Sequence, residues 1–351
     1  MSVQPKWKER YGLLKEYTES NPEIIISTNE VSIPKHLRDT FYNKFDAVRD
    51  AVVEDRLNVL PLDVQALRDH YVHAETEVTA LLNLDRIDIP VDLSSFLHDP
   101  RRGLVRVLYH RLFEFVQKKI NEDEFEQLSR ADIDANTAGL FRLGYEPWAA
   151  LEIVRLLEPD RAYSVGLDED FNPFVSDLKE IAFGRQFHHP AKRIPEFVLH
   201  STKLDTNVAV KMPLAREVDT YYIPFEPRVK PKKRTGDTSL VIDTRTMFLS
   251  VVPDLKKIPV FADIHARTTK SPDVMVGFAT QLEAEDPGVL AEFKKRVDIM
   301  QPKLGGSLVV INPPEDAVTV ATEEGIEKIP VGFDSSKLNT VIDKLSSIQR
   351  T

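Results

Sequence analysis

The stretch VFADIHARTTKSPD, residues 260–273, sets Asp263 and His265 two positions apart and is followed by Lys270 in a basic, hydroxyl-rich tail. On an extended strand, side chains at i and i+2 project from one face. A carboxylate and an imidazole so placed can ligate a cation or pass a proton. The bland alternative is a polar strand whose Asp263 and His265 meet solvent while Phe261 and Ile264 pack. A second stretch, FEPRVKPKKRTGD at 225–237, gathers Arg228, Lys230, Lys232, Lys233 and Arg234, five cations within seven residues, against Glu226 nearby. Cations so concentrated make salt-dependent, sequence-blind contacts with phosphates. Lysines and prolines in a hairpin loop also guard sheet edges against pairing.

Other chemistry-bearing residues are sparser. His73 and Glu77 share a helical face at i,i+4, with His70 nearby, and read as polar side chains facing solvent unless another element adds ligands. His188 and His189 are adjacent before a proline, so their side chains diverge. KLGGSL lacks the spacing of a nucleotide-binding loop, and no G-x-S-x-G elbow occurs. The absence of cysteine removes disulfides, thiolate catalysis and cysteine-ligated metals.

The 351 residues are enough for two domains, and 42% hydrophobic with 29% charged residues gives each the material of a core. The formal charge is 46 − 56 = −10, which argues against a basic coat but leaves room for a local basic patch. The N-terminus is charged throughout, and no apolar run approaches the roughly 20 residues that span a bilayer. A soluble, cytoplasmic protein without a membrane partner is expected.

The elements that must position these residues fall into two groups. Leu37, Phe41, Phe45, Val48 and Val52 recur at helical spacing, as do Leu67, Tyr71, Ala74, Val78 and Leu81, and then Leu104, Leu108, Leu112 and Phe115. Breaks come at Asn21-Pro22, Leu60-Pro61, Ile89-Pro90 and Asp99-Pro100. A further helix is predicted to start near Glu146-Pro147, with proline in its first turn. Residues 1–165 thus read as an α-helical domain.

Residues 166–351 read as an α/β domain. Strands are expected at 197–199, 208–210, 218–223, 239–243, 247–252 and 259–266. Ser271-Pro272 reads as a helix start, with Val274, Phe278 and Leu282 following every four residues. Asp286-Pro287 opens another helix carrying Leu290, Phe293, Val297 and Met300. Thereafter SLVVI is a strand, PEDAVTVATEEGI a short helix, KIPVGF a strand and SSKLNTVIDKLSSIQR an amphipathic helix.

This order resembles the core of the PD-(D/E)xK nuclease superfamily over about the last 120 residues. Asp243 at the end of LVID matches the first acid, Asp263-Ile264-His265 stands at the acid-x-Lys position, and residues 309–331 resemble the closing strand–helix–strand. The resemblance implies a restriction-endonuclease-like mixed sheet with flanking helices, and a metal site in which Asp243 and Asp263 hold Mg²⁺ or Mn²⁺. His265 replaces the family's lysine, so the site would be altered, with Lys270 as the substitute cation. The implied function is a nucleic-acid-associated protein that binds DNA or RNA through 228–234. The competing expectation is a non-catalytic scaffold that uses its helical domain for protein partners or self-association.

Overall fold

The computed structural model describes residues 5–60, 62–167, 173–183, 192–193, 197–211, 246–252, 255, 272–314, 317, 321–323 and 325–348. Two compact units emerge: Met1–Asp69 with Val91–Leu143, and His70–Pro90 with Gly144–Thr351.

In chain order the first elements are helix α1 (Lys6–Ser20), the short hairpin β1 (Ile25–Ile26) and β2 (Val31–Ser32), and helices α2 (Arg38–Leu57) and α3 (Val64–Leu82). Next come strand β3 (Arg86–Asp88) and helices α4 (Val91–His98), α5 (Pro100–Val105), α6 (Tyr109–Val116) and α7 (Glu122–Leu156). The apolar spacings mark these helices well. Phe41, Phe45, Val48 and Val52 are all buried on α2. Asp99 caps α5 by accepting from the Arg102 N–H, with Pro100 in the first turn.

The first unit has an aromatic core. Phe45 of α2 lies 4.5 Å from Phe113 of α6, and Arg49 stands over Phe45 and Tyr109 at 5.4 and 5.3 Å. The Arg56 guanidinium grips both oxygens of Asp134, and Arg111 bonds Asp132 at 2.7 Å, tying α7 to α2 and α6.

One expectation fails here: no helix starts at Pro147, which lies inside the 35-residue α7. The start signal is elsewhere. Asn121 and Glu124 form a reciprocal cap, the Glu124 N–H donating to Asn121 Oδ1 at 2.9 Å and the Asn121 N–H to Glu124 Oε2 at 2.8 Å. An interior proline costs a backbone hydrogen bond. Buried Tyr145, Trp148, Leu151 and Val154 around it supply the packing that keeps the helix going.

Helix gives way to strand between Leu156 and Pro159. The strands are β4 (Pro159–Leu167), β5 (Pro173–Asp177), β6 (Glu180–Ala182), β7 (Lys192–Arg193), β8 (Phe197–Ser201), β9 (Thr206–Lys211), β10 (Thr246–Val252) and β11 (Val274–Ala279). Helices α8 (Gln281–Glu285) and α9 (Pro287–Met300) follow. Strands β12 (Gly306–Val310), β13 (Ala321–Glu323) and β14 (Ile326–Pro330) and helix α10 (Asn339–Ser346) complete the order. Strands β3 and β6 pair in parallel. Among the described residues the main sheet runs β13-β14-β12-β11-β10-β9-β8-β4-β5, with β7 also on β4. Strands β8 to β11 pair antiparallel in sequence, whereas β11, β12 and β14 are parallel neighbours. A helical first part followed by a mixed sheet with helices is therefore the architecture.

Two more expectations are overturned. Residues 274–279 form the strand β11 rather than a helix begun at Ser271-Pro272, and all six are buried. A central strand covered on both faces shows no polar alternation, so its run of apolar residues can pass for a helix face. The helix begins only after Thr280, whose hydroxyl and the Glu283 carboxylate form a capping box. Similarly, Ala321–Glu323 is a strand antiparallel to β14, not part of a helix from Pro314 to Ile326. Gly325 at φ +81° takes the turn between the two strands, which a side chain would strain. The Asp286-Pro287 start holds: Asp286 accepts from the Gly288 N–H, and Leu290, Phe293 and Met300 of α9 pack on Phe248, Met275 and Leu308 of the sheet.

Candidate functional site

Asp243, Asp263, His265, Lys270 and the cations Arg228, Lys230, Lys232, Lys233 and Arg234 lie outside the described residues, as do His188 and His189 and the strands expected at 218–223, 239–243 and 259–266. What the structure gives is where their connections attach. The cations and Asp243 belong to the connection from Lys211, which ends β9, to Thr246, which starts β10. Asp263, His265 and Lys270 belong to the connection from Val252, which ends β10, to Val274, which starts β11. The two connections leave β10 at opposite ends, about 20 Å apart for a strand of this length.

Asp273 closes the second connection. It is 1% exposed, and its carboxylate accepts from the Val251 N–H at 2.7 Å and pairs with Lys303 at 3.0 Å. Its backbone bonds Leu249 and Leu304, so it stitches β10, β11 and the approach to β12 together. Both carboxylate oxygens are thus engaged, which makes Asp273 a clamp rather than a ligand.

A second polar group joins β12, β14 and α10. The Lys344 ammonium donates to Ser307 Oγ at 2.7 Å and pairs with Glu327 at 2.7 Å, and the Ser307 hydroxyl donates to Glu327 at 3.3 Å. Serine beside lysine is the composition of a nucleophile and its base. Here the ammonium is engaged with a carboxylate, and Ser307 is fully buried where no substrate reaches it. The group holds the last helix to the sheet.

His70, expected as a surface residue, is exposed yet stacks flat on Phe333 at 4.8 Å, with Trp148 at 6.0 Å edge-on. His73 and Glu77 are exposed. Among the described residues no group of three or more His, Asp or Glu is placed to hold a metal ion, and no helix is long and apolar enough to cross a membrane.

The arrangement that sequence reasoning missed joins β4 to β8. The pairing steps from Pro159–Ser201 to Arg161–His200, so Asp160 is an extra residue at a β-bulge. Asp160 Oδ1 lies 2.6 Å from His200 Nδ1; since a carboxylate only accepts, Nδ1 carries the proton. Forty residues separate the two, and no spacing rule links them. The hydrogen bond from His200 holds the Asp160 carboxyl below its ordinary range, against an opposing effect of burial. A carboxyl that is more acidic folded than unfolded adds stability above the ordinary carboxylate range and loses it as pH falls through the folded value. Asp160→Asn is therefore expected to cost up to about 1 kcal/mol at neutral pH and progressively less in acid, read from urea midpoints. An equal cost at both pH values would show that the charge plays no part.

No protein-family model, curated protein or solved structure matches this chain.

Proposed function

We propose that the chain is a nucleic-acid-associated protein whose connection between β9 and β10 lies along a phosphate backbone. One observation carries this reading: five cations in seven residues, within a chain of net charge −10, sit in a 34-residue excursion between two hydrogen-bonded neighbours of the sheet. A sheet that needed only a hairpin there would close in a few residues. Charge concentrated against the protein's overall sign favours a polyanion by releasing its counterions.

In the same reading, the sheet is a diverged restriction-endonuclease-like body. Its support is the run of antiparallel strands β9, β10 and β11, then the crossover through α8 and α9 to the parallel β12. The hairpin of β13 and β14, standing where that family has a helix, counts against close kinship. Asp243, Asp263 and His265 would form an altered metal site, with carboxylates of the type that Mg²⁺ or Mn²⁺ takes and Lys270 as the nearby cation.

The test is retention on heparin and binding of labelled DNA and RNA at low salt. Wild type is expected to bind. Lys232→Ala with Lys233→Ala and Arg234→Ala should weaken binding at least about tenfold and lower the salt slope by about 2–3. No binding by wild type at low salt would reject the reading and leave the non-catalytic scaffold. Cleavage that needs Mg²⁺ or Mn²⁺ and vanishes in Asp263→Ala would add catalysis; intact substrate after long incubation would leave binding alone.

A further inference from the structure

We propose that Arg161 and His200, with Asp160 positioning the imidazole, form a binding site for a phosphate group on the face of the sheet at β4 and β8. The bulge sets two consecutive side chains, Asp160 and Arg161, against the single residue His200. A regular ladder would have put only one of them there. Asp160 takes the Nδ1–H of His200, which fixes the ring and directs Nε2 away from the carboxylate. Among the described residues nothing hydrogen-bonds His200 Nε2 or the Arg161 guanidinium, whose charge nonetheless acts on Asp160.

Asp160 faces two basic side chains, so when the imidazole is protonated one positive charge is left for a ligand. Directly opposed residues on paired strands stand about 5 Å apart, so a guanidinium and an imidazole from β4 and β8 can both reach the oxygens of one phosphate. Asn207 of β9, the partner of His200 on its other side, extends the polar row. Access is open, with Arg161 and Asp160 exposed and His200 32% exposed at the side chain.

A free phosphate and a nucleic-acid phosphodiester present the same chemistry, and two ligand arms separate them. Imidazole resonances of the full chain would be followed at mildly acidic pH while inorganic phosphate is added, and separately a short single-stranded oligonucleotide. One of the nine histidines is expected to shift saturably with phosphate, at millimolar affinity, and His200→Gln should remove that signal. Arg161→Ala, on an exposed side chain, should weaken binding about tenfold. Tighter binding of the oligonucleotide at the same resonance assigns the site to nucleic acid; tighter phosphate binding assigns it to a small phosphate ester. No saturable shift, or an Arg161→Ala protein that binds as wild type does, overturns the site. The triple variant of the basic connection should leave the phosphate titration unchanged, so the two proposals fail separately.

Discussion

Gly277→Ala is expected to destabilise the protein by about 1–3 kcal/mol, seen as a lower urea midpoint with an unchanged slope. Gly277 is the middle of β11, and a Cβ built there would come 2.5 Å from Phe293 Cε2 of α9. Real carbon contacts do not approach so closely, so the ring has to move. Phe293 is only 5% exposed and belongs to the core between α9 and the sheet, which leaves it little room. Phe293→Leu should cost stability alone, by cavity formation, yet cost less in the Gly277→Ala background. That positive coupling separates a steric clash from a loss of strand propensity. Additive effects would mean that the ring is not the obstacle.

The same segment explains where sequence reading succeeds and fails. The buried face of α2 follows from Phe41, Phe45, Val48 and Val52 because spacings of three and four mixed together fit only the helical period. Val274 and Phe278 are spaced by four alone, and four is also a multiple of the strand period of two. Met275, Val276 and Gly277 between them are buried as well, so the decisive cue was continuity, not spacing. At α9, by contrast, Asp286-Pro287 is a local signal whose mechanism is complete within the first turn, so the helix start shows in the sequence itself. Pro147 carried the same kind of signal into the interior of α7, where packing outweighed it.

The polar groups were less legible because their partners are remote. Asp160 and His200 meet through a bulge that no spacing records, and Ser307, Glu327 and Lys344 meet only once β12, β14 and α10 are packed. Asp273 ends the stretch 260–273 and carries no chemical signal in the sequence, because a buried carboxylate looks like any other until its donors are seen. The opposite holds for the basic connection, where composition alone supports a reading.

Asp273→Ala is expected to cost about 2–3 kcal/mol, well above the loss from Lys303→Ala. The two variants remove opposite ends of one ion pair, but the ends differ in setting. Lys303 keeps 51% of its side chain exposed, so without Asp273 its ammonium returns to water at little cost. The Val251 N–H has no such recourse. It points at Asp273 Oδ2 from within the paired β10, and losing that acceptor leaves a donor without a partner. Asp273→Asn keeps a carbonyl oxygen for Val251 while removing the charge, and should fall between the two. The ranking Ala, then Asn, then the lysine variant would identify the backbone donor as the dominant partner, measured by denaturant midpoints and by faster amide exchange at Val251. If Lys303→Ala instead proves as damaging as Asp273→Ala, charge attraction is what holds the start of β11, and the connection carrying Asp263 and His265 is anchored by a pair that salt can weaken.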